Sequence, residues 1–231
     1  MGEHSCLTET TRPQETFSDP RLGPDLLWRD LRVNCFPLPR PALFLDRDGV
    51  IIEEKEYIAR PDDVELLPGI TDLIRTARKA GMAVVEITNQ AGIGRGYFGW
   101  QEFLLVESRA MKLLDERGER LDAVFACPFH PDGRPPYRQA GHAWRKPNPG
   151  MLLEAGRLLN LDLPRSVLVG DKVDDHAAGR AAGLRSAVHV LTGHGREHAA
   201  AVSKFTSSDF PVQIVRSPQE AAASLLEHKS A

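Results

Sequence analysis

Short apolar runs, separated by segments of helical periodicity, constrain this chain more than any other feature. Ala42-Leu43-Phe44-Leu45, Ala83-Val84-Val85-Glu86-Ile87-Thr88, Ala123-Val124-Phe125-Ala126, Ser166-Val167-Leu168-Val169 and Ala187-Val188-His189-Val190-Leu191 lack the polar alternation of a strand with one wet face. Such runs belong to strands covered on both sides, the usual state of a parallel sheet. Between them, Ile70, Leu73, Ile74, Ala77 and Ala80 recur at helical spacing and stop at Gly81. Phe103, Val106, Ala110 and Leu114 predict a helix over about 100–117, Met151 to Leu159 another, and an Ala- and Gly-rich stretch over 174–182 a third. A short strand over 212–215 and a helix from about Pro218 to Glu227 follow. Strand and helix in alternation predict an α/β fold: a doubly wound parallel sheet with helices on both faces.

The domain is expected over 41–231. Residues 1–40 hold Pro13, Pro20, Pro24, Pro37 and Pro39 among polar residues and read as a partly ordered extension. Within it, Leu26 to Leu31 would dock as an amphipathic turn or two. A 42% hydrophobic content and a net charge of −3 exclude disorder throughout. With 29 basic against 32 acidic residues there is no cationic excess for a nucleic-acid partner. No apolar run approaches the ~18–20 residues of a membrane span. Glu3, Glu9 and Glu15 spoil a secretory layout. Cys6, Cys35 and Cys127 are too scattered for a disulfide framework, so a reducing, cytoplasmic setting is expected, with the protein acting as a monomer.

The chemistry gathers at strand ends. One run ends in Asp46-Arg47-Asp48-Gly49, another in Thr88-Asn89-Gln90, a third in Gly170-Asp171-Lys172. In doubly wound sheets, ligands bind outside the carboxyl ends of the strands, where strand order reverses. Carboxylates two residues apart point the same way and repel unless a cation or a shared proton relieves them. A hard divalent ion does this with oxygen ligands, and Asp171 supplies another. Lys146 and Lys172 then face a phosphoryl group's oxygens, with Thr88 and Asn89 as hydrogen-bond donors. That set suits phosphoryl transfer, which needs in-line positioning and charge neutralisation. Gly92, Gly94 and Gly96 follow the second strand, not the first, so they read as a turn around substrate and not a dinucleotide loop.

Four motifs in order, Leu45-Asp46-Arg47-Asp48-Gly49-Val50, Thr88-Asn89-Gln90, Arg145-Lys146-Pro147 and Gly170-Asp171-Lys172-Val173-Asp174-Asp175, resemble the haloacid dehalogenase (HAD) superfamily of aspartate-nucleophile phosphatases. Thr88 to Phe98 and Arg145 to Met151 are similar to its heptose 1,7-bisphosphate 7-phosphatase and histidinol-phosphatase branch, over about 41–216. The resemblance implies a HAD-type sheet without a separate cap domain, since only about 20 residues separate the first strand from its helix. It implies Asp46 as nucleophile and Asp48 as acid and then base. Asp46, the main-chain carbonyl of Asp48, and Asp171 would hold Mg²⁺, with Asp175 in support. Thr88 and Lys146 would steady the phosphoryl group. Glu54, Lys55, Glu56, Tyr57, Asn89, Gln90, Ala91, Arg145 and Lys172 would bind a small phosphorylated sugar, foremost the heptose bisphosphate. Glu56 departs from the branch, which carries glycine there.

The branch usually holds a structural zinc through Cys-x-His and Cys-x-Cys. Here those places read Cys127-Pro128-Phe129 and His142-Ala143-Trp144, which keeps only Cys127. His142 is a possible substitute ligand and His130 stands one residue late, too few for a closed four-ligand site, so zinc is not expected. Competing readings are a histidinol-phosphate or other small phosphomonoester phosphatase, a non-catalytic binding relative, and a phospho-accepting receiver domain. The last needs its acceptor aspartate on the third strand, where this chain has Ala126-Cys127-Pro128.

Overall fold

A computed structural model describes residues 17–227; the expectations for Glu3, Cys6, Glu9, Pro13 and Glu15 lie outside the described residues. Seven strands form one sheet: β1 (Trp28–Leu31), β2 (Ala42–Leu45), β3 (Ala83–Asn89), β4 (Ala123–Cys127), β5 (Val167–Gly170), β6 (Ser186–Val190) and β7 (Val212–Val215). The helices are α1 (Ile70–Lys79), α2 (Ala91–Arg95), α3 (Trp100–Asp115), α4 (Gly150–Leu159), α5 (Val173–Ala181), α6 (Gly195–Phe205) and α7 (Pro218–Glu227).

The order is β1-β4-β3-β2-β5-β6-β7, parallel except for β1. Every residue of β2, β4, β5 and β6 is buried, as two-sided cover requires. Alternate side chains feed two cores. Leu43, Leu45, Val84 and Val124 pack with α1, α3 and α7 on one face. Phe44, Val85, Ile87 and Phe125 pack with α4, α5 and Val202 of α6 on the other. From β2 the chain builds outward through β3 and β4, then returns to place β5 on the opposite side of β2. That reversal sets the carboxyl ends of β2, β3 and β5 side by side.

Three elements differ from the sequence reading. Residues 28–31, expected as docked turns in an extension, form an edge strand antiparallel to β4. The fully buried Trp28 stacks on Trp100 at 5.6 Å and meets Phe103 edge-on at 5.5 Å. Burying a ring that size contributes about 3 kcal/mol, enough to hold a four-residue strand on an edge. Residues 28–31 of the expected extension are therefore part of the sheet. Gly92 and Gly94 lie in the short helix α2 rather than in an open turn, and Gly96 ends that helix. Helix α6 was not foreseen, because only Gly195 and Val202 of it are buried and no apolar stripe marks it.

Candidate active site

β2 delivers Asp46 while its backbone is still in the ladder, its N–H bonded to the Val169 carbonyl at 3.1 Å. The chain then turns back, with Gly49 at φ 85° and its N–H donating to the Ile52 carbonyl at 2.8 Å. A Cβ at Gly49 would stand 2.5 Å from Asp171 Oδ2, so only glycine allows this approach. Asp171 follows β5 and is fully buried. Its Oδ2 accepts the His194 N–H at 2.8 Å, and its Oδ1 has no hydrogen-bond partner among the described residues. Asp46, Asp171 and Asp175 each offer an oxygen within 4.8 Å of the others. Burial, reinforced by the Asp46 and Asp175 charges, pushes the Asp171 carboxyl up to about 8.

Lys146 counters this charge. Its ammonium lies 2.8 Å from Asp46 Oδ1 and 2.7 Å from Asp175 Oδ1, and donates to the Ile87 carbonyl at 3.0 Å. Burial disfavours its charge, but the two carboxylates outweigh that and raise its pKa. Asn89 fixes the segment: its Nδ2 donates to the Lys146 carbonyl at 3.0 Å, and its Oδ1 accepts the Lys146 N–H at 3.1 Å. The Asn89 amide is thereby committed to backbone and positions Lys146. Asp48 accepts from Arg47 Nη2 at 3.0 and 3.1 Å and from Gln90 Nε2 at 3.2 Å. Gln90 also donates to Thr88 Oγ1 at 2.8 Å, and Thr88 is fully buried behind it.

A cavity of about 370 Å³ opens above these groups. Its wall includes Asp46, Asp48, Glu54, Glu56, Tyr57, Asn89, Gln90, Ala91, Arg145, Lys146, Lys172 and Asp175, so most of the sequence-derived candidates meet there. Thr88 and Asp171 lie beneath the wall. Lys55 does not reach it: its ammonium turns outward to the Glu65 carboxylate and the Asp63 carbonyl, so its charge is already satisfied at the surface. Lys172 lies 3.6 Å from Glu54 and 3.9 Å from Asp171. Burial and the Asp48 charge raise the Glu54 pKa. Arg145 donates to the Phe129 carbonyl at 3.3 Å and pairs with no carboxylate among the described residues. Burial lowers its pKa.

Four residues of the site were missed. His194, from the loop after β6, lines the cavity 3.7 Å from Glu54; nothing in its sequence surroundings marks it. Arg47, buried beneath Asp48, lies 4.0 Å from Glu107, and the carboxyl oxygens of Glu86 and Glu107 have no hydrogen-bond partner. Burial pushes Glu107 up to about 7 and Glu86 also well upward. Glu86 was legible, as an acid inside an otherwise apolar run.

In the loop after β4, burial pushes the Cys127 thiol up to about 12, and its sulfur lies 3.9 Å from His142 Nδ1. That nitrogen accepts the Trp144 N–H at 3.1 Å, and the ring stacks on Phe129 at 4.0 Å. His130 turns to Arg95, 3.2 Å away.

The sequence profile of the HAD-hydrolase-like family matches residues 143–216. The D-glycero-beta-D-manno-heptose-1,7-bisphosphate 7-phosphatase of Mesorhizobium japonicum is 51% identical over 149 residues, which are 64% of this chain and 69% of that protein. The enzyme of the same name from Escherichia coli K12 is 41% identical over 66% of this chain and 80% of its own length. Among solved structures, a HAD-like phosphatase from Mesorhizobium loti superposes with a TM-score of 0.76 at 39% identity, covering 87% of this chain and 93% of that one. The D,D-heptose 1,7-bisphosphate phosphatase of B. bronchiseptica, crystallised with magnesium and phosphate, gives 0.70 at 31% identity, covering 81% and 99%. By motif order, sheet topology and these relatives, the chain belongs to the HAD superfamily of phosphatases, in the branch of the heptose-bisphosphate phosphatases.

Proposed function

We propose that this protein removes the 7-phosphate of D-glycero-D-manno-heptose 1,7-bisphosphate through an aspartyl-phosphate on Asp46. The observation that carries the reading is one cavity holding both the Asp46–Lys146 pair and, apart from it, an Arg145 guanidinium with no carboxylate partner among the described residues. One phosphate reacts; the other has a cation waiting for it. Relatives of the same name at 41–51% identity supply the sugar.

Asp46 attacks phosphorus while Asp48 gives its proton to the leaving sugar oxygen. Asp48 then takes a proton from water, the water oxygen attacks the aspartyl-phosphate, and phosphate leaves with Asp46 restored. Lys146 sets a cation against Asp46 and orients one of its oxygens. Arg145, Lys172 and the wall formed by Glu54, Glu56 and Tyr57 hold the sugar. Gln90 and Ala91 line the same wall, and Thr88 supports the phosphoryl site through Gln90.

The donor set fits a hard divalent cation, because among the described residues a fully buried Asp171 oxygen is left without a hydrogen-bond partner beside two further carboxylates. Asp46, Asp171 and the Asp48 carbonyl would hold Mg²⁺. Asp175 supports them from behind, its oxygens taken by Lys146 and by the Lys172 N–H at 2.9 Å. When bound, the ion neutralises charge on the phosphoryl oxygens.

The test is kcat/KM for the heptose bisphosphate against histidinol phosphate and hexose monophosphates. The bisphosphate is expected to lead; a monophosphate ahead by more than about tenfold, or 1.4 kcal/mol in transition-state binding, overturns the assignment.

A further inference from the structure

The segment between β2 and α1 carries Glu56 and Tyr57 at φ 41° and 56°. Two consecutive residues with side chains in the left-handed region crowd Cβ against backbone, and the conformation persists only where its surroundings hold it. Glycine at the first of these positions would sit there unstrained; this chain carries glutamate.

What holds the turn lies on α2 and just beyond it. Arg95 Nη1 donates to the Tyr57 hydroxyl at 2.8 Å. Its Nη2 lies 3.2 Å from His130 Nε2 and 3.4 Å from Asp132 Oδ2, which anchors it to the loop after β4. Tyr97, itself 59% exposed, stands edge-on to the Tyr57 ring at 4.7 Å. Gly92 leaves room for that ring, since a Cβ there would come within 2.9 Å of Tyr57 Cδ1. Neither Arg95 nor Tyr97 lines the cavity, whereas Glu56 and Tyr57 do.

We propose that Arg95 and Tyr97 are positioning residues for sugar selection: they clamp Tyr57, and through it the left-handed turn bearing Glu56, at the mouth of the cavity. The proposal rests on the reading of residues 54–57 as a wall that contacts the sugar. A wall ordered before substrate arrives spares the cost of ordering it on binding. The clamp therefore acts on capture of the sugar and leaves the chemistry at Asp46 alone. An Arg95–Asp132 ion pair on its own would do little, because Asp132 is 77% exposed and surface pairs are weak. The bond to Tyr57 gives Arg95 its consequence.

The experiment uses the full chain with Mg²⁺ and the variants Arg95→Met, Tyr97→Ala and Tyr97→Phe. For the first two, KM for the heptose bisphosphate is expected to rise at least ~10-fold with kcat within about twofold, the signature of lost binding. Their turnover of p-nitrophenyl phosphate, which offers no sugar, is expected to stay unchanged. Tyr97→Phe keeps the ring edge and is expected to match the parent. Independently of any substrate, tryptic cleavage after Lys55 and Arg60 is expected to quicken in Arg95→Met and Tyr97→Ala, because the freed turn opens locally. If the parent does not hydrolyse the bisphosphate, the substrate reading fails and the cleavage rates alone decide the clamp. Unchanged cleavage, or equal losses on both substrates, overturns it.

Discussion

Lys146 determines what Asp46 can do. Its ammonium lies against both Asp46 and Asp175, so the proposed nucleophile has a fixed cation beside it in a buried pocket. Asp46→Asn keeps the shape and removes the charge, and is expected to cost at least ~10³-fold in turnover with Mg²⁺ present, measured as phosphate release. Near-normal turnover would exclude an aspartyl-phosphate. At Asp171 burial prevails, its folded pKa of about 8 standing above its ordinary 3.8. Between those values the folded chain holds a proton that the unfolded chain has lost, so this group makes the metal-free protein less stable as pH rises. Metal-free Asp171→Asn is therefore expected to gain melting temperature over the parent, increasingly from pH 6 to 8, and to lose the stabilisation that Mg²⁺ gives the parent. A constant difference across that range, or an intact Mg²⁺ response, would contradict this. Asp46, Asp48 and Asp171 were legible because paired carboxylates after a buried strand have few structural uses. His194 was not, because it is placed by a loop whose backbone N–H serves Asp171. Lys55 misled because a cation two residues from Tyr57 looks available until Glu65 is brought beside it.

At the scale of elements, the loop after β4 decides where Arg145 sits, since Arg145 bonds the Phe129 carbonyl. Phe129 stacks on His142, meets Tyr137 at 5.8 Å, and Trp144 packs on Phe125 at 5.8 Å with Arg29 4.3 Å above its ring. These contacts occupy the positions at which the sequence resemblance implied zinc ligands. A zinc-selective chelator is expected to leave the melting temperature and Mg²⁺-supported activity unchanged, whereas near-stoichiometric zinc or a large fall in melting temperature would show a metal-held loop. The buried parallel strands were readable because two-sided cover writes itself as an unbroken apolar run. β1 was not, since its strand character comes from pairing with β4 and from Trp28 finding Trp100 across the fold. Local pattern carries no trace of such a partner. The same holds for α6, which buries too little to leave a stripe.

For the whole molecule, one reversal of strand order at β2 gathers the motifs. It brings Asp46, Gln90 and Asp171, spread over 126 residues of sequence, to one edge of the sheet. The order of motifs foretold this edge; the size of the cavity and the place of Arg145 in its wall follow from packing that no local signal encodes. Among the described residues, no helix is long and apolar enough to cross a membrane. A proposed nucleophile and a second anion station in one cavity would fix both the reaction and the phosphate removed. Phosphorus NMR of D-glycero-D-manno-heptose 1,7-bisphosphate incubated with the protein and Mg²⁺ tests both at once. One equivalent of inorganic phosphate should appear as the C7 resonance vanishes, with the C1 phosphate left intact. Loss of the C1 phosphate first, or no release while a simple phosphomonoester is hydrolysed, would contradict it.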